Sequence, residues 1–423
     1  MTELAALEAA CRAAPDDDAP RLVWADAVGG ERGEFVVLQC QLAREELSPA
    51  ARGALIRRHD ELLAAHGIAW SGFEDCRAAR SCSFRRGFVE AVALDVRRAP
   101  WTTIFERAPL VRSLRVRGIA KTFDHQDDAD APESGVDPVE AVTELLADPA
   151  LAQLAGLELD DTMRYDITGD TEWHHHSQSR ADDVLEAIAP RLPALRAFSV
   201  QRETTPRGIA ALLDSPVLGS LEQLGLHLAK PTPEQTRALF GKLPRLRALD
   251  LLYSDIDPQT FAALPASVVE LQLPFGDATL AALAASPIAP TLERLHLSGA
   301  SQPRDLAPLS AFPRLRALDL TGVTPDSVVT LARLSLPALR ELCLLDTIDA
   351  AYALELARAL GGQLACLDVI GQKDQAWPED VRAAIAGHVR TGPYRNRDTL
   401  LDTATNTRAP WLRYGFVELY WWG

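Results

Sequence analysis

Leu246-Arg247-Ala248-Leu249-Asp250-Leu251 and, further on, Leu315-Arg316-Ala317-Leu318-Asp319-Leu320 carry apolar residues at their first, fourth and sixth positions. The same spacing recurs on both sides of them. Earlier copies open at Val89, Val111, Leu154, Leu195 and Leu221, and others at Val268, Leu292, Leu339 and Leu364. From Leu195 to Leu364, seven steps cover 169 residues, about 24 per step. A unit that short cannot enclose a core alone. Stacked units can, each placing one short strand in a parallel sheet above a continuous apolar interior.

The segments between copies read as return helices. Thr205-Pro206, Thr232-Pro233, Asp257-Pro258 and Thr324-Pro325 each put a capping oxygen before a proline at the first helical position. Thr232 with Gln235 forms a capping box. Leu192-Pro193, Leu243-Pro244 and Leu336-Pro337 end the helices before the next strand. The whole segment resembles the leucine-rich-repeat family, which implies an α/β solenoid; eleven or twelve units fit residues 87–390. The family's usual asparagine after the strand is replaced here by Asp-Thr, Ser-Gly or Thr-Gly. Two intervals, Val111 to Leu154 and Leu154 to Leu195, are too long for one unit, so insertions are expected near 121–138 and 160–183.

Residues 1–86 do not repeat and form a helical N-terminal domain in this reading, with helices over Thr2–Ala13 and Pro49–His66. Arg21-Leu22-Val23-Trp24-Ala25-Asp26 followed by Arg32-Gly33-Glu34-Phe35 resembles the bacterial repeat-companion domain, which precedes leucine-rich repeats. That resemblance implies no chemistry. Arg21, Asp26, Arg32 and Glu34 read as intradomain ion pairs that fix helix packing, with a ligand site as the alternative. Residues 391–423 read as a C-terminal cap. Within it Tyr414-x-x-Val417-x-Leu419 matches the repeat weakly and predicts a last edge strand beyond Leu364, after a helix near Pro378–Val389.

A formal net charge of −16 disfavours nucleic acid and anionic membrane as partners. With 47% apolar and 24% charged residues the chain is globular rather than disordered. Acids near the N-terminus and six scattered cysteines predict a cytoplasmic protein with reduced thiols. Charge is nonetheless segregated: eleven bases against three acids between Arg77 and Lys121, then twelve acids and no base between Thr122 and Met163. Neutralisation of one by the other, or an anion site, would each account for this.

No Gly-rich phosphate loop, nucleophile elbow or zincin helix is present in the sequence, so no catalytic residue and no cofactor is assigned. His174, His175 and His176 are the weak metal candidates, because consecutive residues on a loop point apart. Strand alternation places Glu158, Asp160, His227, Asp250, Glu270, Gln272, Arg294, His296, Asp319, Glu341 and Asp368 on the sheet face away from the leucines. Phe416 and Tyr420 join them if the last strand continues the sheet. These residues are the expected contact surface of a non-enzymatic protein-interaction module, a cytoplasmic adaptor, sensor or scaffold. The acids predict a basic or polar protein partner. An occluding subunit of an enzyme complex and a metal- or anion-regulated sensor are the alternatives.

Overall fold

A computed structural model describes residues 3–43, 47–73, 79–95, 102–117, 137–149, 151, 154–159, 181–192, 195–252, 254–274, 276–298, 305–321, 324–345, 350–370, 379–385, 388–392 and 416–418. Four helices come first: α1 (Glu3–Ala13), α2 (Ala19–Val28), α3 (Gly30–Leu42) and α4 (Pro49–Ser71). They lead into a hairpin, β1 (Ala79–Arg85) and β2 (Phe88–Asp95), that turns at Arg86-Gly87. Both turn residues have positive φ, 49° and 87°. A Cβ at Gly87 would run into Val36 of α3, so the turn requires glycine there. Gln39 on α3 holds the turn by accepting from the Gly87 N–H at 2.6 Å.

From β2 onward each strand lies parallel to the next. The series is β3 (Ser113–Arg117), β4 (Gly156–Leu159), β5 (Ala197–Thr204), β6 (Gln223–Leu228), β7 (Ala248–Asp250) and β8 (Glu270–Pro274), then β9 (Arg294–Ser298), β10 (Ala317–Thr321), β11 (Glu341–Leu345), β12 (Cys366–Ile370) and β13 (His388–Gly392). Return helices α5 (Thr102–Arg107), α6 (Pro138–Ala147), α7 (Ala181–Ile188), α8 (Pro206–Leu213) and α9 (Pro233–Gly241) connect the earlier strands. Helices α10 (Asp277–Ala284), α11 (Pro325–Arg333), α12 (Ala350–Leu360) and α13 (Glu379–Ala384) serve the later ones, with 3₁₀ turns at Pro258–Ala263 and Ala307–Ala311. The expected caps form: Thr205, Thr232 and Thr324 accept from the N–H groups of Arg207, Gln235 and Ser327, and Thr232 with Gln235 closes a full capping box.

The interior is the stack the spacing predicts. Leu224, Leu249, Leu271, Leu295, Leu318, Leu342 and Leu367 face one another strand to strand, each at most 2% exposed. Where an asparagine ladder would run, Ser254 bridges repeats instead, accepting from Leu228 N–H at 2.8 Å and donating to Leu226 C=O at 2.9 Å. This fold is a leucine-rich-repeat α/β solenoid with helices at its N-terminal edge.

Three features differ from expectation. Strand β1 is an antiparallel partner of β2 with no repeat spacing of its own. Helix α13 is shorter than expected, and His388–Gly392 continues the parallel sheet as β13, the C-terminal edge. The last strand β14 (Phe416–Glu418) forms, but against β1 at the opposite edge, with Cys82 facing Val417. It therefore does not extend the solenoid beyond Leu364. The core also crosses the expected boundary at residue 86, since Phe35, Leu38 and Leu62 share one apolar cluster with Phe84, Val89 and Val92. Most of both expected insertions lie outside the described residues. Asp137, at the end of the first, caps α6. No helix among the described residues is long and apolar enough to cross a membrane.

Candidate interaction surface

On the face away from the leucines, two rows of side chains run across the strands. Their register follows from the pairing of β2 through β12. The early part of the first row is small, Ala91, Ser113, Gly156 and Ala197, and the second begins with Ala93, carries Arg115 and Glu158, and continues with Ser199 and Gly225. The later part is polar and charged, holding Glu270, Arg294 and Glu341 in the first row and Asp250, Gln272, His296 and Asp319 in the second.

The sequence places these residues on the correct face, but the expectation that they meet open solvent does not hold. Glu158, Glu270, His296 and Asp319 are buried, Asp319 completely. Their charges are matched internally. Arg115 pairs with Glu158 at 3.0 Å. Arg294 lies 3.6 Å from Glu270 and 3.8 Å from Glu341, and Glu341 lies 3.6 Å from Arg52 of α4. His296 Nδ1 lies 3.7 Å from Asp319. An acid count therefore overstates the negative field of this face.

Accessible polar side chains concentrate in the middle. His227, Asp250 and Gln272 are half-buried and Glu203, opposite His227 across β5 and β6, is exposed. Asp250 accepts from the Leu252 N–H at 3.0 Å, which orients it at the strand end. Of the remaining expected contacts, only the backbone of Asp368 and Phe416 is described, in β12 and β14. Asp160, Tyr420 and His174, His175 and His176 lie outside the described residues.

Helix α4 was not anticipated on this face. Ile56 and Leu42 form a small apolar cluster with Cys366 of β12, and Arg52 donates to Leu42 C=O at 3.0 Å. The rest of α4 packs at β1: His59 stacks on Phe35, Trp70 lies tilted against it, and Phe35 meets Phe84 edge-on. Apolar positions on both faces of Pro49–Ser71, Leu55 and Ile56 as well as Leu62 and Leu63, were the available signal for a helix with two packing partners.

The motif residues near the N-terminus also find partners, though not the expected ones. Arg21 is fully buried and pairs with Glu90, the second residue of the repeat pattern in β2, not within its own domain. Glu34 pairs with Arg58 of α4 through two hydrogen bonds, which hold its carboxyl below the usual range. Arg32 sits among Trp24, Phe35, Trp70, Phe84 and Phe88, its guanidinium 5.1–5.9 Å from the ring centroids. Burial there lowers its pKa to about 10, so it remains a cation at neutral pH and is held by ring faces. Asp26 is exposed. Burial raises the pKa of Cys40 and Cys82 to about 12, which makes them inert core thiols.

Charge is organised along a third line, the residue just before each strand. A backbone ladder joins these positions. Arg112 N–H donates to Glu90 C=O and Arg196 to Ala155, then Glu222 to Arg196, Arg247 to Glu222, Glu293 to Val269, Arg316 to Glu293 and Arg340 to Arg316. At its start an acidic loop docks. Asp16 lies 3.1 Å from Arg85, 3.7 Å from Arg112 and 3.3 Å from Arg196, and Asp18 lies 3.1 Å from Arg86. Burial alone would raise the Asp16 pKa, but Arg85, Arg112 and Arg196 outweigh it and hold the carboxyl below the ordinary range.

The parallel ladder, leucine interior and capped return helices together define the class, a leucine-rich-repeat solenoid. No protein-family model matches the chain, and no curated protein matches its sequence. Among solved structures it is similar to the yeast complex of Rad7 and Elc1, at 15% identity and a TM-score of 0.38, covering 66% of this chain and 74% of that one. It is also similar to an internalin C2 from Listeria monocytogenes, at 22% identity and a TM-score of 0.27, covering 44% of this chain and 83% of that one.

Proposed function

We propose that the protein is a non-catalytic recognition module whose partner protein engages the middle of the outer sheet face. The observation that supports this is the accessible polar window of Glu203, His227, Asp250 and Gln272, in which Asp250 and Gln272 stand between the buried Gly225 and His296 of their row and Glu203 and His227 pair just beyond it. Side chains at fixed strand spacing, about 4.8 Å apart, suit an extended contact better than a small-molecule pocket. Two acids, an imidazole and an amide favour a polar or basic contact from the partner.

The test is affinity capture with crosslinking and mass spectrometry, using the wild-type chain and a His227→Ala/Asp250→Arg/Gln272→Ala variant of unchanged melting temperature. Loss of one captured protein, crosslinked near β6–β8 in the wild type, supports the reading. Capture that is indifferent to the variant, or crosslinks confined elsewhere, removes it.

A further inference from the structure

The charged line ahead of the strands changes character along its length. At its start arginines are matched: Asp16 reaches Arg85, Arg112 and Arg196, and Glu222 takes Arg196 through two hydrogen bonds. From β7 onward the same line holds Arg247, Arg316 and Arg340 with Glu293 as its acid. The octapeptide Pro-Arg-Leu-Arg-Ala-Leu-Asp-Leu occurs twice, at 244–251 and 313–320, and adds Arg245 and Arg314. In each copy the leucine between the arginines is interior, so both arginines lie outward; Arg245 and Arg314 are exposed. Among the described residues no acid pairs with Arg245, Arg247, Arg314 or Arg340.

We propose that this rim, from β7 to β11, docks an acidic segment of a partner protein. The molecule already contains the interaction in miniature. One aspartate of the Asp16-Asp17-Asp18 loop bridges arginines on different strands at the proximal stretch, and the distal stretch repeats the arginines without an acidic loop among the described residues. Four strand spacings separate Arg247 from Arg340, about 19 Å, the reach of roughly six extended residues. Carboxylates on alternate residues of such a segment would fall about 7 Å apart, close enough for each to meet an arginine fork. A short acidic peptide fits better than nucleic acid. Glu293 interrupts the row where a continuous phosphate backbone would pass, whereas a peptide can place a neutral residue there. This inference concerns a different surface from the polar window and does not depend on it.

Fluorescence anisotropy with a labelled (Asp-Glu)4 octapeptide tests it on the full chain. The wild type should bind with an affinity that falls as salt rises. Arg245→Glu/Arg314→Glu, which alters exposed side chains only, should weaken binding at least about ten-fold with an unchanged melting temperature. Arg333→Glu, at the end of α11, should bind as the wild type does, and a (Lys)8 peptide should not bind. Three results would overturn the proposal: no binding of the acidic peptide, an equal loss in Arg333→Glu, or tighter rim-dependent binding of an eight-nucleotide single strand than of the peptide.

Discussion

The outer faces of β2–β6 and of β8–β11 stand on the same leucine stack but are filled in different proportions. Over the early strands small residues prevail, Ala91, Ser113, Ala197, Ser199 and Gly225, around the single buried pair of Arg115 and Glu158; over the later ones charged and polar residues prevail, Glu270, Arg294, His296, Asp319 and Glu341. Both stretches are largely buried. Small residues achieve this by leaving little side chain to solvate. Charged residues need matched partners, since an unmatched buried charge is strongly unfavourable. The repeat thus dictates the interior and leaves the outer face to contacts made by distant segments.

The most severe break in this arrangement should come from charge rather than from leucine. Arg21→Ala would remove one of the two arginines on Glu90, which is 1% exposed and keeps Arg85 at 3.2 Å, and should destabilise by about 3–5 kcal/mol. Urea unfolding measures it; a loss under 1 kcal/mol would mean the pair is not what joins helices to solenoid. Leu318→Ala should cost about 2–5 kcal/mol as a core truncation. Its neighbour Asp319→Ala should cost about 1–3 kcal/mol, because a buried acid beside His296 is lost. Repeat spacing alone would give Asp319 almost no cost, so a neutral result there restores the simple solvated face.

Arg52→Ala should cost about 1–2 kcal/mol through the lost bond to Leu42 and the lost pair with Glu341. Hydrogen exchange should rise in β11 and β12 first; a rise confined to β1 would contradict the placement of α4. The smallest effect belongs to Asp16→Asn, below about 1 kcal/mol, since Asp16 is half exposed. Its folded pKa is depressed, so its contribution is present above the ordinary carboxylate range near pH 4 and disappears as pH falls through and below it. The variant and the wild type should therefore differ at pH 7 and converge at pH 2–3. A gap that widens in acid would reverse the sign.

What was legible in the sequence was whatever repeats or acts locally. Leucine spacing predicts the register of eleven strands, and Thr232 with Gln235 predicts its capping box because both groups lie within one turn. Strand β1 escaped because an antiparallel capping strand has no repeat to obey. Strand β14 has weak repeat spacing that points to the nearer edge, yet it pairs with residues more than 330 positions away, which no local pattern encodes. Arg21 and Glu34 announced ion pairs by their type, while their partners, Glu90 and Arg58, come from other elements. Burial of Asp319 followed from no periodic feature at all.

Helix α4 has a further consequence. It packs from His59 to Trp70 against Phe35 beside β1 and at Ile56 against Cys366 in β12, and it lies against β13. Its 23 residues span about 34 Å, a length set by the helix alone. Each added or deleted repeat would move the far end of the sheet by about one strand spacing, 4.8 Å, away from that fixed rod. An ordinary repeat array can lengthen or shorten by duplication while every junction remains locally sound. Here the helix acts as a gauge. A duplicated or lost unit would leave its own two junctions intact and still detach Ile56 from Cys366, so the number of repeats in this chain is heritable only as a whole.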